Sequence, residues 1–262
     1  MKIALMQFQP EFLALEKNLE KAAALLDNTT ADIAVFPELF LSGYTFFDAD
    51  QTKACSVPFE EGPGLNPLLQ ISREKSLAVC GGYAEIDGDA LYNSAFFIGD
   101  GKLIANYRKV HLFDREKLYF TPGNRRFEVF EYRGVTLGMM VCFDWIFPEA
   151  ARSLTLQGAQ VILHPSNLVL PYCQQAMFAR ALENRVFIVT VNRVGTETNG
   201  PLKNTFTGGS QIVSPKGKYL VRLATNREQI ETVDVDPSAA LDKFITKRNH
   251  VTEDRRQALY VL

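Results

Sequence analysis

The feature that most constrains this chain is its rhythm: short apolar runs suited to strands alternate with longer stretches whose apolar residues recur at helical spacing. Strand-like runs fall at residues 2–6, 32–36, 77–83 and 91–98, and helical periodicity falls near 17–27 and 65–75. The second of these helices is entered from the turn-rich Glu61-Gly62-Pro63-Gly64, and the run at 91–98 ends in Gly99-Asp100-Gly101-Lys102, which predicts a hairpin. Strands at 135–141, 161–164 and 186–191 are separated by helices near 148–157 and 174–184, and the chain continues with strands at 211–213, 219–223 and 229–235. Strand–helix alternation makes the chain α/β, but the hairpins forbid a purely parallel sheet. The expectation is a sheet-rich core of mixed strand direction covered by helices.

Pro and Gly are spread as turn punctuation rather than gathered at one boundary, so residues 1–262 read as a single domain. Residues 195–200, GTETNG, read as a flexible turn whose glycines are too sparse for a phosphate cradle. Residues 245–262 mix acidic and basic groups with a few apolar anchors, the composition of a docked arm or a frayed terminus.

Composition narrows the function classes. With 47% hydrophobic residues and 22% charged ones, the chain has the apolar material for a core, which excludes disorder. Its 28 Lys and Arg against 30 Asp and Glu leave a net charge of -2, and no whole-molecule field attracts a nucleic acid. No apolar run approaches the roughly 18 residues of a membrane span. The apolar start is broken by Gln7, Gln9 and Pro10 before a signal-peptide core forms, so the expected location is cytoplasmic. Cys55, Cys80, Cys142 and Cys173 lie far apart, without zinc-ligand spacing, and read as reduced thiols with no metal.

One cysteine stands out. Cys142, in VTLGMMVCFDWIFPEAAR, follows an apolar strand and precedes a helix start at Pro148-Glu149. Backbone N–H groups at a helix N-terminus favour thiolate and can receive an oxyanion, although a small buried core residue is the commoner fate of a free cysteine. A nucleophile needs a base. His250 lies in the tail, while His111 and His164 are conceivable bases that read more simply as hydrogen-bonded structural residues. Glu38, in ADIAVFPELFLSGY, is carried by Pro37 to the same kind of strand end as Cys142, where burial lifts a carboxyl towards proton-accepting range. Lys109, flanked by Val110 and Leu112, is oddly placed for a solvated cation, and Glu116 stands seven residues on as its partner. Taken singly, each of these charges reads as a surface residue.

Together, PELFLSGY, YRKVHLF and VCFDWIFPEAAR resemble the three motifs of the nitrilase superfamily of carbon-nitrogen hydrolases, in the expected order. The resemblance extends to KIALMQFQP, EKLYFTPG, HPSN at 164–167, RALENRVF at 180–187 and FTGGSQIVSPKG at 206–217. It implies a four-layer α-β-β-α sandwich of two mixed sheets covered by helices. By that resemblance Glu38 is the general base, Lys109 the oxyanion-stabilising cation, Cys142 the nucleophile and Glu116 the glutamate that positions lysine and substrate. Phe143 then lends a backbone N–H to the oxyanion, Trp145 and Asn167 line the substrate pocket, and no metal or organic cofactor is needed. Members of this kind usually pair through the helices that follow the Cys142 and HPSN strands, so a homodimer or larger homo-oligomer is expected. The implied activity is hydrolysis of small aliphatic amides or nitriles through a thioester; an N-carbamoyl or ω-amide hydrolase is one alternative and a catalytically silent binding module another. Arg180 and Glu183 read as a structural ion pair. Apolar walls around the thiol suit a small neutral substrate, with Arg115, Arg193 or a residue from a partner subunit as the candidates for pairing with a substrate carboxylate.

Overall fold

The structure, a computed structural model, describes residues 1–59 and 63–261. Glu61 and Gly62 of the expected turn therefore lie outside the described residues. One sheet is built from β1 (Lys2–Gln7), β2 (Ile33–Val35), β3 (Ala78–Asp87), β4 (Ala90–Gly99), β5 (Lys102–Arg108) and, late in the chain, β14 (Gln229–Asp234), in the order β14-β1-β2-β3-β4-β5. The other contains β6 (Val129–Tyr132), β7 (Val135–Met139), β8 (Val161–Ser166), β9 (Phe187–Asn192), β12 (Gln211–Val213) and β13 (Tyr219–Arg222), in the order β13-β12-β9-β8-β7-β6. Each sheet has a parallel centre and antiparallel edges, as the hairpin signals required.

Burial follows strand periodicity on both faces. Ile3 and Leu5 of β1 join the core shared between the sheets, with Leu163 and Val189 from the second sheet. Ala4 and Met6 turn the other way, into a cluster with Leu19, Ala22 and Leu26 of α1 (Leu15–Asp27) and, beyond the short α2 (Ala49–Ala54), Leu68 of α3 (Asn66–Lys75). A strand covered on both faces has no reason to alternate polar with apolar, hence the near-continuous apolar runs. α4 (Pro148–Leu156) and α5 (Cys173–Asn184) cover the second sheet through Ala151, Leu154, Met177 and Ala181. The molecule is thus a four-layer α-β-β-α sandwich.

This topology gathers the chemistry at one end. Glu38 follows β2, Lys109 follows β5, Cys142 follows β7 and Asn167 follows β8. Within each sheet the strands concerned run the same way, and in open α/β sheets ligand sites form beyond the carboxyl ends of such strands.

One expectation needs correction. Residues 195–200 are not a flexible turn: β10 (Thr196–Asn199) pairs antiparallel with β11 (Leu202–Thr205) in a separate hairpin. The inward-facing group of β10 is a charged one, Glu197, so its strand pattern is invisible in hydropathy. Cys142 precedes α4, as its place ahead of Pro148 implied, and opens a 3-10 turn of its own, Cys142–Ile146. In the tail, β15 (Phe244–Thr246) and β16 (Asn249–His250) form a short hairpin, beyond which Leu259 and Tyr260 are exposed. None of the helices among the described residues is long and apolar enough to cross a membrane.

Candidate active site

Glu38, Lys109 and Glu116 are buried together. Lys109 Nζ lies 2.7 Å from Glu38 Oε1 and 2.8 Å from Glu116 Oε1. Burial alone would lower the ammonium's pKa, but the two carboxylates hold it well above its ordinary value, so Lys109 is a fixed cation. Glu116 is raised by burial and by Glu38, against the opposing pull of Lys109 and a hydrogen bond from Tyr44. Glu38 Oε1 accepts from Lys109 and, at 2.7 Å, from Asn93 Nδ2. Its other oxygen, Oε2, has no partner among the described residues, which leaves one carboxylate oxygen for exchanging a proton.

Cys142 is 5% exposed, and burial, with the nearby Glu38, pushes its thiol well above the ordinary range; Lys109 and the backbone N–H of Asn167 act in the opposite direction. Desolvation therefore dominates over any thiolate-favouring effect of the turn, and the resting group is a thiol that requires a base. The turn that presents it is tight. Cys142 has φ of +40°, a left-handed conformation uncommon for a residue with a side chain. Buried Asp144 braces it: Oδ2 accepts from Val141 N (2.9 Å) and Tyr107 Oη (2.7 Å), while Oδ1 lies 2.7 Å from His111 Nδ1.

Cys142 borders a small cavity, about 260 Å³ including the open solvent at its mouth, lined also by Phe113, Phe143, Trp145, Asn167, Leu168 and neighbouring apolar residues. All three expected substrate-contacting residues, Phe143, Trp145 and Asn167, thus border the same space as Cys142.

The carbon-nitrogen hydrolase model matches residues 2–241. The chain belongs to this family. A nitrilase from Pyrococcus abyssi is 41% identical over 262 residues, covering 99% of this chain and 98% of the relative. An (R)-stereoselective amidase from Pseudomonas sp is 37% identical across 79% of this chain and 73% of its own. Among solved structures, a glutamate-to-glutamine variant of an amidase from Nesterenkonia sp. AN1, with the acetamide moiety of fluoroacetamide added covalently at its active site cysteine, superposes with a TM-score of 0.79. It is 28% identical, over 99% of this chain and 95% of that one. This protein is accordingly a carbon-nitrogen hydrolase.

Within this hydrolase the histidines are committed elsewhere. His164 Nε2 donates to the Cys142 carbonyl at 2.9 Å, and burial lowers its pKa, so it is a neutral brace of the cysteine turn. His111 stacks on Phe147, its ring 3.7 Å from the phenyl centroid, while its Nδ1 faces Asp144. Arg193 is fully buried and bound to Glu197 at 2.8 Å, which removes it as a partner for a substrate carboxylate. Arg115 borders a second hollow with Tyr44, Tyr119, Lys203 and Asn204. Arg180 and Glu183 pair at 3.0 Å on α5.

Three supporting residues escaped the sequence reading. Asn93 donates to Glu38, with Glu116 Oε2 at 3.5 Å, and its only signal was a polar group inside the apolar run LYNSAFFI. Tyr44 Oη donates to Glu116 Oε1 at 2.7 Å, and burial keeps it a phenol. Asp144 carried a signal in being a carboxylate two residues beyond the nucleophile.

Proposed function

We propose that this protein is a cysteine-dependent hydrolase of small aliphatic amides or nitriles, giving acid and ammonia. The observation that carries this reading is a buried thiol sharing one strand-end site with a Glu38–Lys109–Glu116 ion-pair cluster and a small apolar cavity. Glu38 takes the Cys142 proton on its free oxygen as sulfur attacks the amide carbon. Lys109 and the Phe143 N–H stabilise the tetrahedral oxyanion. When the C–N bond breaks, the nitrogen regains the proton from Glu38 and leaves as ammonia, with a thioester left on Cys142. Glu38 then takes a proton from water, hydroxide attacks the thioester, and the thiolate leaving group recovers that proton. A nitrile passes first through a thioimidate, whose nitrogen is lost as ammonia when water adds.

The covalent adduct at the cysteine of the Nesterenkonia amidase supports this reading, as do the nitrilase and amidase names of the relatives. We place the enzyme in the cytoplasm on its four unbridged thiols. We treat residues 1–262 as one catalytic unit that works as a homodimer, with 245–262 as its arm. An ammonia-release screen over short amides, nitriles and N-carbamoyl compounds tests the assignment. Turnover of short amides or nitriles, lost in Cys142→Ala, is the expected result; N-carbamoyl amino acids cleaved far faster than any simple amide or nitrile would overturn it.

A further inference from the structure

The cavity at Cys142 contains one unanswered polar group. Asn167 is 2% exposed, and neither Oδ1 nor Nδ2 of its carboxamide finds a partner among the described residues. Burying an amide without hydrogen bonds is costly, so buried donors and acceptors are normally paired; a group left open in a ligand cavity marks where the ligand supplies the partner. Apart from the Cys142 thiol, the other described side chains bordering this space, among them Phe113, Phe143, Trp145, Leu168 and Val169, are aromatic or aliphatic.

The reacting group cannot answer for both atoms. Its oxygen, or the nitrogen of a nitrile, is already claimed by Lys109 and the Phe143 N–H, and its leaving nitrogen by Glu38. A simple alkyl tail would leave the asparagine wholly unpaired. From this, and resting on the hydrolase reading above, we infer that the site selects substrates carrying a second, uncharged hydrogen-bonding group a bond or two from the reacting carbon, paired with the Asn167 carboxamide. A second carboxamide is the closest complement, since it offers one donor and one acceptor in the same plane. A carboxylate is rejected, because it accepts only and the nearby cation, Lys109, is already paired with Glu38 and Glu116 and cannot offset its desolvation. A site built to hydrogen-bond its substrate discriminates strongly against the analogue lacking that group, since the protein's own polar atoms are then stranded.

Malonamide and isovaleramide test this, being close in size, with an isopropyl group replacing one carboxamide. Wild type is expected to favour malonamide by about tenfold or more in kcat/KM, and to discriminate against malonamate. Asn167→Leu, close in shape and apolar, collapses the malonamide-to-isovaleramide ratio to near one. The same ratio is read as equilibrium binding to Cys142→Ala and to Cys142→Ala/Asn167→Leu. If malonamide binds preferentially but neither amide is hydrolysed, the hydrolase assignment fails and this inference stands. If both amides are hydrolysed without preference, or Asn167→Leu leaves the ratio unchanged, the inference is overturned and the hydrolase assignment stands.

Discussion

At the scale of single residues, the arrangement makes Cys142 dependent on Glu38 rather than reactive by itself. A thiol whose pKa is raised above 9.0 is protonated at neutral pH, and its charge appears only as pH climbs past that value. The thiolate ultraviolet absorbance of wild type minus that of Cys142→Ala should therefore stay flat from pH 6 to pH 8; a thiolate signal already present at pH 7 would contradict the burial argument. Because the thiol needs its base, Glu38→Gln should lose about a thousandfold or more in kcat, a general-base loss compounded by the loss of Lys109's partner. Near-normal turnover in that variant would return catalysis to a histidine. The sequence made Glu38, Lys109 and Cys142 legible because each stands in or at the end of an apolar run, whereas Glu116, inside the charged run Asp114-Arg115-Glu116-Lys117, was legible only through its spacing from Lys109 and the resemblance of the motifs. Asn93 and Tyr44 were harder to see. Their roles depend on which distant carboxylate they meet, and nothing local encodes that.

At the scale of elements, the strand ends are held by contacts that hydropathy does not register. Gly82 in β3 leaves room for the backbone of the Glu38 turn: a Cβ there would stand 2.5 Å from both Glu38 Cα and Leu39 N. Neither backbone can yield without moving the base, so Gly82→Ala should lower kcat about a hundredfold, the scale of a one-ångström misplacement, while circular dichroism stays native. Full activity would show that the Glu38 turn is not tightly seated. The hairpin β10–β11 acts similarly from further away. Glu197 Oε1 accepts from Tyr44 N at 2.8 Å and Thr45 N at 2.6 Å, and its Oε2 holds Arg193. Removing it strands a buried guanidinium, so Glu197→Ala should cost about 3–5 kcal/mol in urea unfolding. Lys21→Ala, at the exposed pair with Glu228, should cost under about 1 kcal/mol. Equal costs would refute the distinction. The sequence reading lost this hairpin because a buried ion pair looks, one residue at a time, like solvated loop.

At the scale of the whole molecule, the layers explain both what the sequence disclosed and what it withheld. The inner strands were legible because two covered faces demand continuous apolar runs, as in Val161–Ser166 and Phe187–Asn192. The outer surface is different, since an apolar residue there has meaning only if something covers it. Leu156 on α4 and Leu182 on α5 are exposed, and Tyr172, at the opposite end of α5 from Leu182, is 60% exposed. The arm adds Leu259, which is 70% exposed, and Tyr260. Single exposed apolar residues are ordinary, but several on adjacent elements of one layer suit an isologous interface, where each residue meets its counterpart's surroundings across a two-fold axis. A stable dimer of this kind needs about 1,200–2,000 Å² buried in total, more than the two helices or the arm would supply separately. Both parts should therefore be required. Light scattering is expected to give a dimer mass for wild type, and Leu182→Glu or truncation before Arg256 should each shift it towards monomer at micromolar concentration. A wild-type monomer, or a truncated chain that dimerises as tightly as the full one, would leave the arm without a role in assembly.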